Sequence, residues 1–135
     1  MKVLVTGDRE WKDATTVCRE LAKLPLNSII IHGACRGLDL MAASIARNEF
    51  KFEVRPYPAM WSKFGRAAGV IRNQQMLDSE NLHSEPIDLC LGFHNHIEVS
   101  KGTKDMLSRA EKVGIKTKLI TSKGEIPHGL QTEYV

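Results

Sequence analysis

The chain has 135 residues, of which 42% are hydrophobic and 26% are charged, the balance of one ordinary soluble domain. The formal net charge of +3 is too small to predict nucleic-acid binding by itself, although it suits an anionic small molecule. No apolar run could span a bilayer, no signal-peptide pattern is present, and the three cysteines are too scattered for a disulfide framework. We therefore expect a cytoplasmic protein that does not associate with a membrane.

Short apolar runs alternate with segments of helical period along most of the sequence. The predicted strands cover residues 2–6, 28–32, 52–55, 88–93 and 115–121, and the predicted helices cover about 13–24, 38–48, 66–82 and 100–113. This alternation predicts an α/β fold, a Rossmann-like doubly wound sheet of about five mainly parallel strands with helices on both faces.

The domain organisation follows from the same pattern. We assign residues 1–121 to the Rossmann-like domain. Residues 122–135 have no clear period, and we interpret them as a C-terminal tail, an edge element of the same domain or an arm to a partner.

Four loops of unusual composition follow the first four predicted strands. In a doubly wound sheet such loops meet beyond the carboxyl ends of the strands, where the strand order reverses and ligands bind. One such loop would be ambiguous, but four at one edge of a sheet predict a binding site there.

The first loop has the sequence GDREW, residues 7–11. Arg9 can hold a phosphate, or it can stabilise the loop through Asp39. Trp11 either forms the floor of a nucleobase pocket or belongs to the core. We assign Gly7, Arg9 and Trp11 to ligand binding; the alternative is a charged surface turn.

The second loop lies within the sequence HGACRGLD, residues 32–39. Gly33 and Gly37 are typical of a tight turn before a helix, and both are candidate ligand-binding residues. Asp39 either caps that helix or binds ribose hydroxyls, and the two roles are compatible. Cys35 has no identifiable His or Asp partner that would make it a nucleophile.

The third loop and its helix have the sequence PAMWSKFGRAAGVIRNQQM, residues 58–76. Two glycines and two arginines around an aromatic residue indicate backbone close to a ligand and cations directed at an anion. We therefore assign Trp61, Lys63, Arg72 and Asn73 to ligand binding. The alternative is a solvated basic face on an ordinary helix.

The fourth loop ends in SKGT, residues 100–103, at the start of the last predicted helix. Backbone N–H groups and the helix dipole favour an anion there, glycine allows close approach, and a hydroxyl adds a donor. We assign Ser100, Lys101, Gly102 and Thr103 to phosphate binding. The alternative is plain capping of the helix by one hydroxyl.

Cys90, His94 and His96 raise the question of a metal site. The two histidines face one side only if they lie in a strand, and no nearby pair completes a tetrahedral set. We therefore predict no metal and no cofactor.

Four segments carry a family resemblance: VTGDREW, IIHGACRGLD, YPAMWSKFGRAAGVIRNQQM and SKGTKDML. They occur in the order expected of the SLOG superfamily, and from about residue 2 to 121 the chain resembles its YspA-like branch. The resemblance implies a Rossmann-like domain that binds nucleotides or nucleotide-derived ligands. More distant relatives include the LOG phosphoribohydrolases, the DNA-uptake protein DprA and sensors of nucleotide second messengers.

Two motifs of the LOG enzymes are similar to segments of this chain. RNQQM, residues 72–76, resembles their RKxxM element, whose arginine lies at the phosphoribosyl group. Gly102 and Thr103 match the Gly-Thr of their PGGxGTxxE loop, but the glutamate of that loop falls on Met106. N-glycosidic cleavage needs a carboxylate near the developing sugar cation, so this departure disfavours LOG-type catalysis.

Three functional hypotheses follow. The first is a sensor or sponge for a nucleotide or nucleotide-derived ligand of the phosphoribosyl or ADP-ribose type. The second is an N-glycosidic hydrolase or transferase, with Asp8 or Glu10 as the first candidates for the carboxylate and Arg72 as a further catalytic candidate. Asp39 and Glu98 are the other acids that could supply the carboxylate. The third and weakest is single-stranded DNA binding, since no basic stripe with interleaved aromatics is present. We expect a nucleotide-derived small molecule as partner and, by the resemblance, a homo-oligomer.

Overall fold

Strands and helices alternate along the chain in the computed structural model, which describes residues 1–81 and 85–126. The strands are β1 (Lys2–Gly7), β2 (Ile29–His32), β3 (Glu53–Pro56), β4 (Leu89–Phe93), β5 (Lys116–Thr121) and β6 (Gly124–Ile126). The helices are α1 (Ala14–Leu21), α2 (Leu38–Phe50), α3 (Trp61–Phe64), α4 (Ala68–Asn81) and α5 (Gly102–Lys112), and 3-10 turns cover Gly65–Ala67 and Ile97–Val99. None of the helices in these residues is long and apolar enough to cross a bilayer.

The described strands form one sheet in the order β3-β2-β1-β4-β5-β6. Strands β1 to β5 are parallel, and β6 runs antiparallel to β5 at the edge. The predicted doubly wound α/β sheet is therefore confirmed. The additional strand β6 is three residues long and is too short to show a period in the sequence. Residues 127–135 and the predicted helix end at residue 82 lie outside the described residues.

Two apolar cores cover the two faces of the sheet. Val3 and Val5 of β1 face a core that also contains residues of α1 and α2. Leu4, between them, faces the other core together with Met76 of α4 and Leu107 of α5. Successive side chains of a strand point to opposite faces, so an uninterrupted apolar strand is buried on both sides.

Helix α1 begins where the sequence predicted. Asp13 accepts hydrogen bonds from the backbone N–H of Thr16 at 3.1 Å and from its hydroxyl at 2.6 Å, and these bonds lower the pKa of Asp13. The helix ends at Leu21 rather than near residue 24, because a turn precedes Pro25.

The segment before α4 is more broken than the sequence predicted. Gly65 has a φ of +58°, which separates the single turn of α3 from the 3-10 turn that leads into α4 at Ala68. Strand β3 also ends one residue later than predicted, because Pro56 is its last residue instead of lying just beyond it. The lack of an N–H group is tolerated there because β3 is an edge strand.

A buried charged cluster joins the start of β1 to the end of α4. Lys2 Nζ lies 2.8 Å from Glu80 Oε1, and Arg55 Nη1 lies at the same distance from that oxygen. The Tyr57 hydroxyl donates to Glu80 Oε2 at 2.5 Å. Burial would raise the pKa of Glu80, but these partners together lower it. The cluster therefore anchors the C-terminal end of α4 to the sheet.

The strand order reverses at β1, which lies between β2 and β4. The chain passes outward from β1 to β2 and β3, and then returns to the other side of β1 as β4. Helices α4 and α5 contribute to the same core. A crevice is expected where the connections diverge, beyond the carboxyl ends of these strands.

Candidate functional site

A cleft of about 190 Å³ lies at the carboxyl ends of β1 and β2, next to the N-terminal ends of α4 and α5. Residues of all four predicted loops border it. Ten residues assigned to ligand binding are among them: Gly7, Arg9, Gly33, Asp39, Trp61, Arg72, Asn73, Lys101, Gly102 and Thr103. The structure thus brings together side chains that lie far apart in the sequence.

The N-terminus of α5 forms one wall of the cleft. A Cβ atom at Gly102 would meet no heavy atom within 4 Å, so the backbone there is open to a ligand. Lys101 and Thr103 border the cleft on either side of it. The Ser100 hydroxyl accepts hydrogen bonds from the backbone N–H groups of Thr103 at 3.1 Å and Lys104 at 3.3 Å, so Ser100 caps the helix. The helix dipole favours an anion at this end.

Arg72 is built into the wall of the cleft and is only 7% exposed. Its Nη1 donates to the Gly33 carbonyl and, at 3.4 Å, to the Tyr57 carbonyl. Its Nε donates to Asn73 Oδ1 at 3.1 Å, and its Nη2 lies 3.5 Å from Cys35 Sγ. A Cβ atom on Gly33 would overlap the guanidinium. Arg72 therefore joins the second loop to α4 while placing a positive charge beside the cleft.

Asp39 orders the second loop. Its Oδ2 accepts hydrogen bonds from the backbone N–H groups of Gly33 at 2.9 Å and Cys35 at 3.4 Å. Burial raises the pKa of Asp39 to about 6, although these bonds and the charges of Arg72 and Arg9 act in the opposite direction. Asp39 is the only acid among the described residues that border the cleft.

Two of the assigned glycines allow the first and second loops to pack together. Gly37 has a φ of +77°, and a Cβ atom there would overlap the backbone of Asp8 and Arg9. A Cβ atom on Gly7 would overlap the Leu38 side chain. These glycines therefore serve close packing of the protein on itself, and Gly37 does not border the cleft.

Arg9 and Trp61 join the first and third loops at the cleft. The guanidinium carbon of Arg9 lies 5.4 Å from the centroid of the Trp61 ring, which is a cation–π contact. Trp61 is 47% exposed, and its Cη2 atom would lie 3.6 Å from a Cβ atom on Gly69. The indole therefore lies above α4 and remains accessible from solvent.

Asn73 links the cleft to a polar network between α4 and α5. Its Nδ2 donates to Asp105 Oδ2 at 3.0 Å, and Arg109 Nε donates to the same oxygen at 2.8 Å. Asp105 lies one residue before Met106, where the LOG glutamate would fall, and Met106 is fully buried in the core. The Asp105 carboxylate thus holds two helices together.

Trp11 belongs to the core, which is the alternative role that the sequence left open. It is 4% exposed, and its ring centroid lies 5.7 Å from that of Phe93 in an edge-to-face arrangement. Its Nε1 donates to the Asp13 carbonyl at 2.9 Å. The indole is therefore not placed to contact a base in the cleft.

The two acids of the first loop are not among the residues that border the cleft. Asp8 Oδ1 accepts a hydrogen bond from the Glu10 N–H at 2.9 Å, and its Oδ2 lies 3.9 Å from His94 Nε2. Glu10 forms an exposed ion pair with Arg36 at 2.6 Å. Lys63 likewise lies outside, with its Nζ 5.1 Å from the ring of Phe64.

Of the candidate metal ligands, the His94 and Cys90 side chains are used within the protein, whereas the His96 side chain is 73% exposed. His94 Nδ1 accepts a hydrogen bond from the His96 N–H at 2.9 Å, and Cys90 is fully buried, which raises the pKa of its thiol. Within residues 1–81 and 85–126, no group of three or more His, Cys, Asp or Glu side chains is placed to hold an ion.

Comparison with known proteins confirms the resemblance to the YspA-like branch of the SLOG superfamily, over a range that contains the first two sequence segments and the start of the third. The model of the YspA, cpYpsA-related SLOG family matches residues 1–64. The Gene 61 protein of Mycobacterium phage D29 is 36% identical over 122 residues, which cover 84% of this chain and 91% of that protein. The chain belongs to the SLOG family. No solved structure matches this SLOG chain.

Further cleft residues of this SLOG domain were not assigned from the sequence. Arg66, Gly69 and Met76 border the cleft together with Arg72 and Asn73. The signal was present, because these five residues recur at spacings of three and four and can therefore share one helix face.

Proposed function

We propose that the cleft binds a nucleotide or a nucleotide-derived ligand of the phosphoribosyl or ADP-ribose type, as a sensor or sponge. The observation that carries the proposal is that Arg9, Arg66 and Arg72 border the same cleft as Lys101 and Gly102 at the start of α5. Helix N-termini and guanidinium groups both favour phosphate, and here they surround one space.

The size of the cleft supports a ligand that is only partly enclosed. Pockets for drug-sized ligands have volumes of roughly 300–1,000 Å³. A cleft of about 190 Å³ suits the phosphoribosyl part of a nucleotide better than the whole molecule. The base would then lie nearer the surface, where the half-exposed indole of Trp61 offers a stacking partner.

A second candidate function, N-glycosidic cleavage or transfer, has weaker support. An oxocarbenium-like transition state needs a carboxylate near the sugar. Asp39 is the acid that borders the cleft, but its Oδ2 already accepts from two backbone N–H groups. Asp8 and Glu10 hydrogen-bond within the first loop or pair at the surface. This arrangement favours binding without turnover.

Thermal unfolding with nucleoside monophosphates, NAD and ADP-ribose tests the proposal. A ligand at 100 times its Kd should stabilise the protein by about 2.7 kcal/mol. Lys101→Glu should weaken this effect, whereas Lys116→Glu, the same charge change at the start of β5, should not. The proposal fails if nothing on the panel stabilises the wild type, or if both variants behave alike. Release of free base, followed by chromatography, would instead support the enzyme.

We also propose that the chain self-associates through an apolar face of α3 and α4. This face consists of Met60, Phe64, Val70 and Ile71, which are 52%, 38%, 39% and 38% exposed. These four side chains line a surface groove that Lys63, Asp78 and Arg109 also border. Two copies related by a twofold axis can therefore pair opposite charges across this groove.

Solution mass by light scattering tests this association. Ile71→Glu should give a monomer, whereas Leu40→Glu on α2, where the leucine is 51% exposed, should leave the assembly intact. A wild type that stays monomeric at high concentration, or equal effects of both variants, would contradict the proposal.

A further inference from the structure

Helix α3 and the 3-10 turn after it form an exposed segment beside the cleft. Every residue from 61 to 67 is exposed, and buried positions resume at Ala68. Gly65 has a φ of +58°, although a Cβ atom there would meet no heavy atom within 4 Å. Glycine is therefore needed for the backbone conformation and not for space. A segment without buried side chains is held weakly by the core, so its contacts at the cleft help to fix its position.

The Arg9–Trp61 contact is one of those contacts. It joins this segment to the first loop, and both residues border the cleft. An exposed cation–π contact changes an equilibrium constant by roughly two- to five-fold. That is strong enough to favour one arrangement of the cleft and weak enough for a ligand to replace it.

We propose that Arg9 and Trp61 form a latch, which a ligand opens by replacing both halves of their contact. This inference rests on the proposed function of the same cleft. A nucleobase stacks on the indole face that the guanidinium covers, and Arg9 turns its charge to the phosphate. The ligand thus supplies a new partner to each residue that it separates.

The latch makes binding depend on a ring and an anion in one molecule. A nucleoside must displace Arg9 without offering it an anion, so it loses the two- to five-fold advantage of the closed contact. A sugar phosphate can engage Arg9 only by withdrawing it from Trp61. A nucleotide avoids both losses, and the latch therefore selects against its fragments.

Fragment titrations of an Arg9→Ala variant test the latch. Adenosine should bind roughly two- to five-fold more tightly than to the wild type, because the indole is already uncovered. Ribose 5-phosphate should bind more weakly, because its cationic partner is lost. The indole N–H resonance of Trp61 reports both titrations, and Trp11 serves as a buried internal reference. The matched control is Arg36→Ala, which removes an exposed arginine that pairs with Glu10.

The ligand-free protein provides an independent measurement. Arg9→Ala should increase quenching of Trp61 emission by acrylamide, obtained as the difference from a Trp61→Phe variant, and Arg36→Ala should not. Equal quenching in the two arginine variants would overturn the latch whether or not any ligand binds.

The outcomes separate the latch from the proposed function. If Arg9→Ala changes the affinities for adenosine and ribose 5-phosphate in the same direction, the latch is overturned. Stabilisation of the wild type by AMP would in that case still support nucleotide binding. Failure of both fragments and of every nucleotide on the thermal panel to bind the wild type would overturn the proposed function and the latch with it. Tighter binding of adenosine and weaker binding of ribose 5-phosphate by Arg9→Ala, together with increased quenching of Trp61, support the latch.

Discussion

Replacement of Arg72 by alanine tests whether this guanidinium holds the cleft together. In the structure it donates to the carbonyls of Gly33 and Tyr57 and to the side chain of Asn73, and the residue is 7% exposed. Alanine removes these donors and leaves the three acceptors facing the space that the guanidinium filled. Both the second loop and the start of α4 lose an attachment.

The expected loss of stability is a substantial fraction of the total. A hydrogen bond from a charged donor contributes roughly 1.5–3 kcal/mol, but water from the cleft can replace part of three such bonds. We therefore expect Arg72→Ala to lower the free energy of unfolding by roughly 2–4 kcal/mol, compared with about 5–15 kcal/mol for a typical domain. At about 4 °C per kcal/mol for a chain of this length, the melting temperature should fall by roughly 8–16 °C.

A second substitution makes the test specific to the observed geometry. A Cβ atom on Gly33 would overlap the Arg72 guanidinium, so Gly33→Ala should destabilise the wild type by roughly 1–3 kcal/mol. In the Arg72→Ala background that overlap is gone, and Gly33→Ala should then cost little. Urea unfolding followed by circular dichroism gives the four free energies of this double-mutant cycle.

Arg36→Ala is the matched control, because its side chain is 69% exposed and it should change stability by no more than about 0.5 kcal/mol. The reasoning is refuted if Arg72→Ala is as stable as this control, or if the Gly33 and Arg72 effects simply add. A stable Arg72→Ala variant that no longer responds to nucleotides would show instead that Arg72 acts on the ligand alone.

Three further predictions concern α5, the buried titratable groups and the charged cluster. Gly102→Val should leave the melting temperature unchanged but weaken nucleotide binding by about tenfold or more in calorimetry, the equivalent of one charge-assisted hydrogen bond; unaltered affinity would place the ligand elsewhere. Burial raises the pKa of Asp39 to about 6, so this group makes the free energy of unfolding fall as the pH rises from about 4 to 6. Burial lowers the pKa of His32 to about 4, so this second group makes the free energy of unfolding rise as the pH rises from about 4 to 6.5. Asp39→Asn should therefore steepen the rise of the urea midpoint between about pH 4 and 6, and an unchanged slope would contradict the shifted pKa. Lys2→Met should lower the free energy of unfolding by roughly 2–4 kcal/mol, because it removes one of the cations that compensate the buried Glu80; a loss below about 1 kcal/mol would mean that Lys2 is dispensable to the cluster.

The sheet was predictable because its central strands are apolar at nearly every position. Strand β4, LCLGF, is buried along its whole length, and such a run is typical of a strand covered by helices on both faces. The loops at its carboxyl edge were predictable for the same reason, since parallel strands bring their ends together. Strand β6 lies in the segment for which an edge element was one of the alternatives, and it was not predicted as a strand because three residues of an antiparallel edge show no such pattern.

Side-chain direction in the first loop was not predictable. The backbone N–H of Trp11 donates to the Asp8 carbonyl at 3.1 Å, and this turn folds the indole back onto Phe93. The same turn brings the Glu10 N–H to the Asp8 carboxylate. The sequence GDREW shows which residues follow the strand but not the direction in which the turn points their side chains.

The role of Arg72 marks a second limit of the sequence. Helical spacing predicts that Arg72 shares a face with Asn73 and Met76, and in the structure all three border the cleft. Spacing cannot show that the guanidinium already donates hydrogen bonds to protein carbonyls, because those carbonyls belong to Gly33 and Tyr57, which lie outside the helix.

The two ends of the α3–α4 region differ in how much they contribute to folding. At one end Glu80 is fully buried among Lys2, Tyr57 and Arg55, so substitutions there change folding. At the other end residues 61–67 place no side chain in either core, although Trp61 and Arg66 border the cleft. Evolution can therefore vary the residues of this segment that face the cleft, and so change which molecules the protein accepts, with little effect on the stability of the domain.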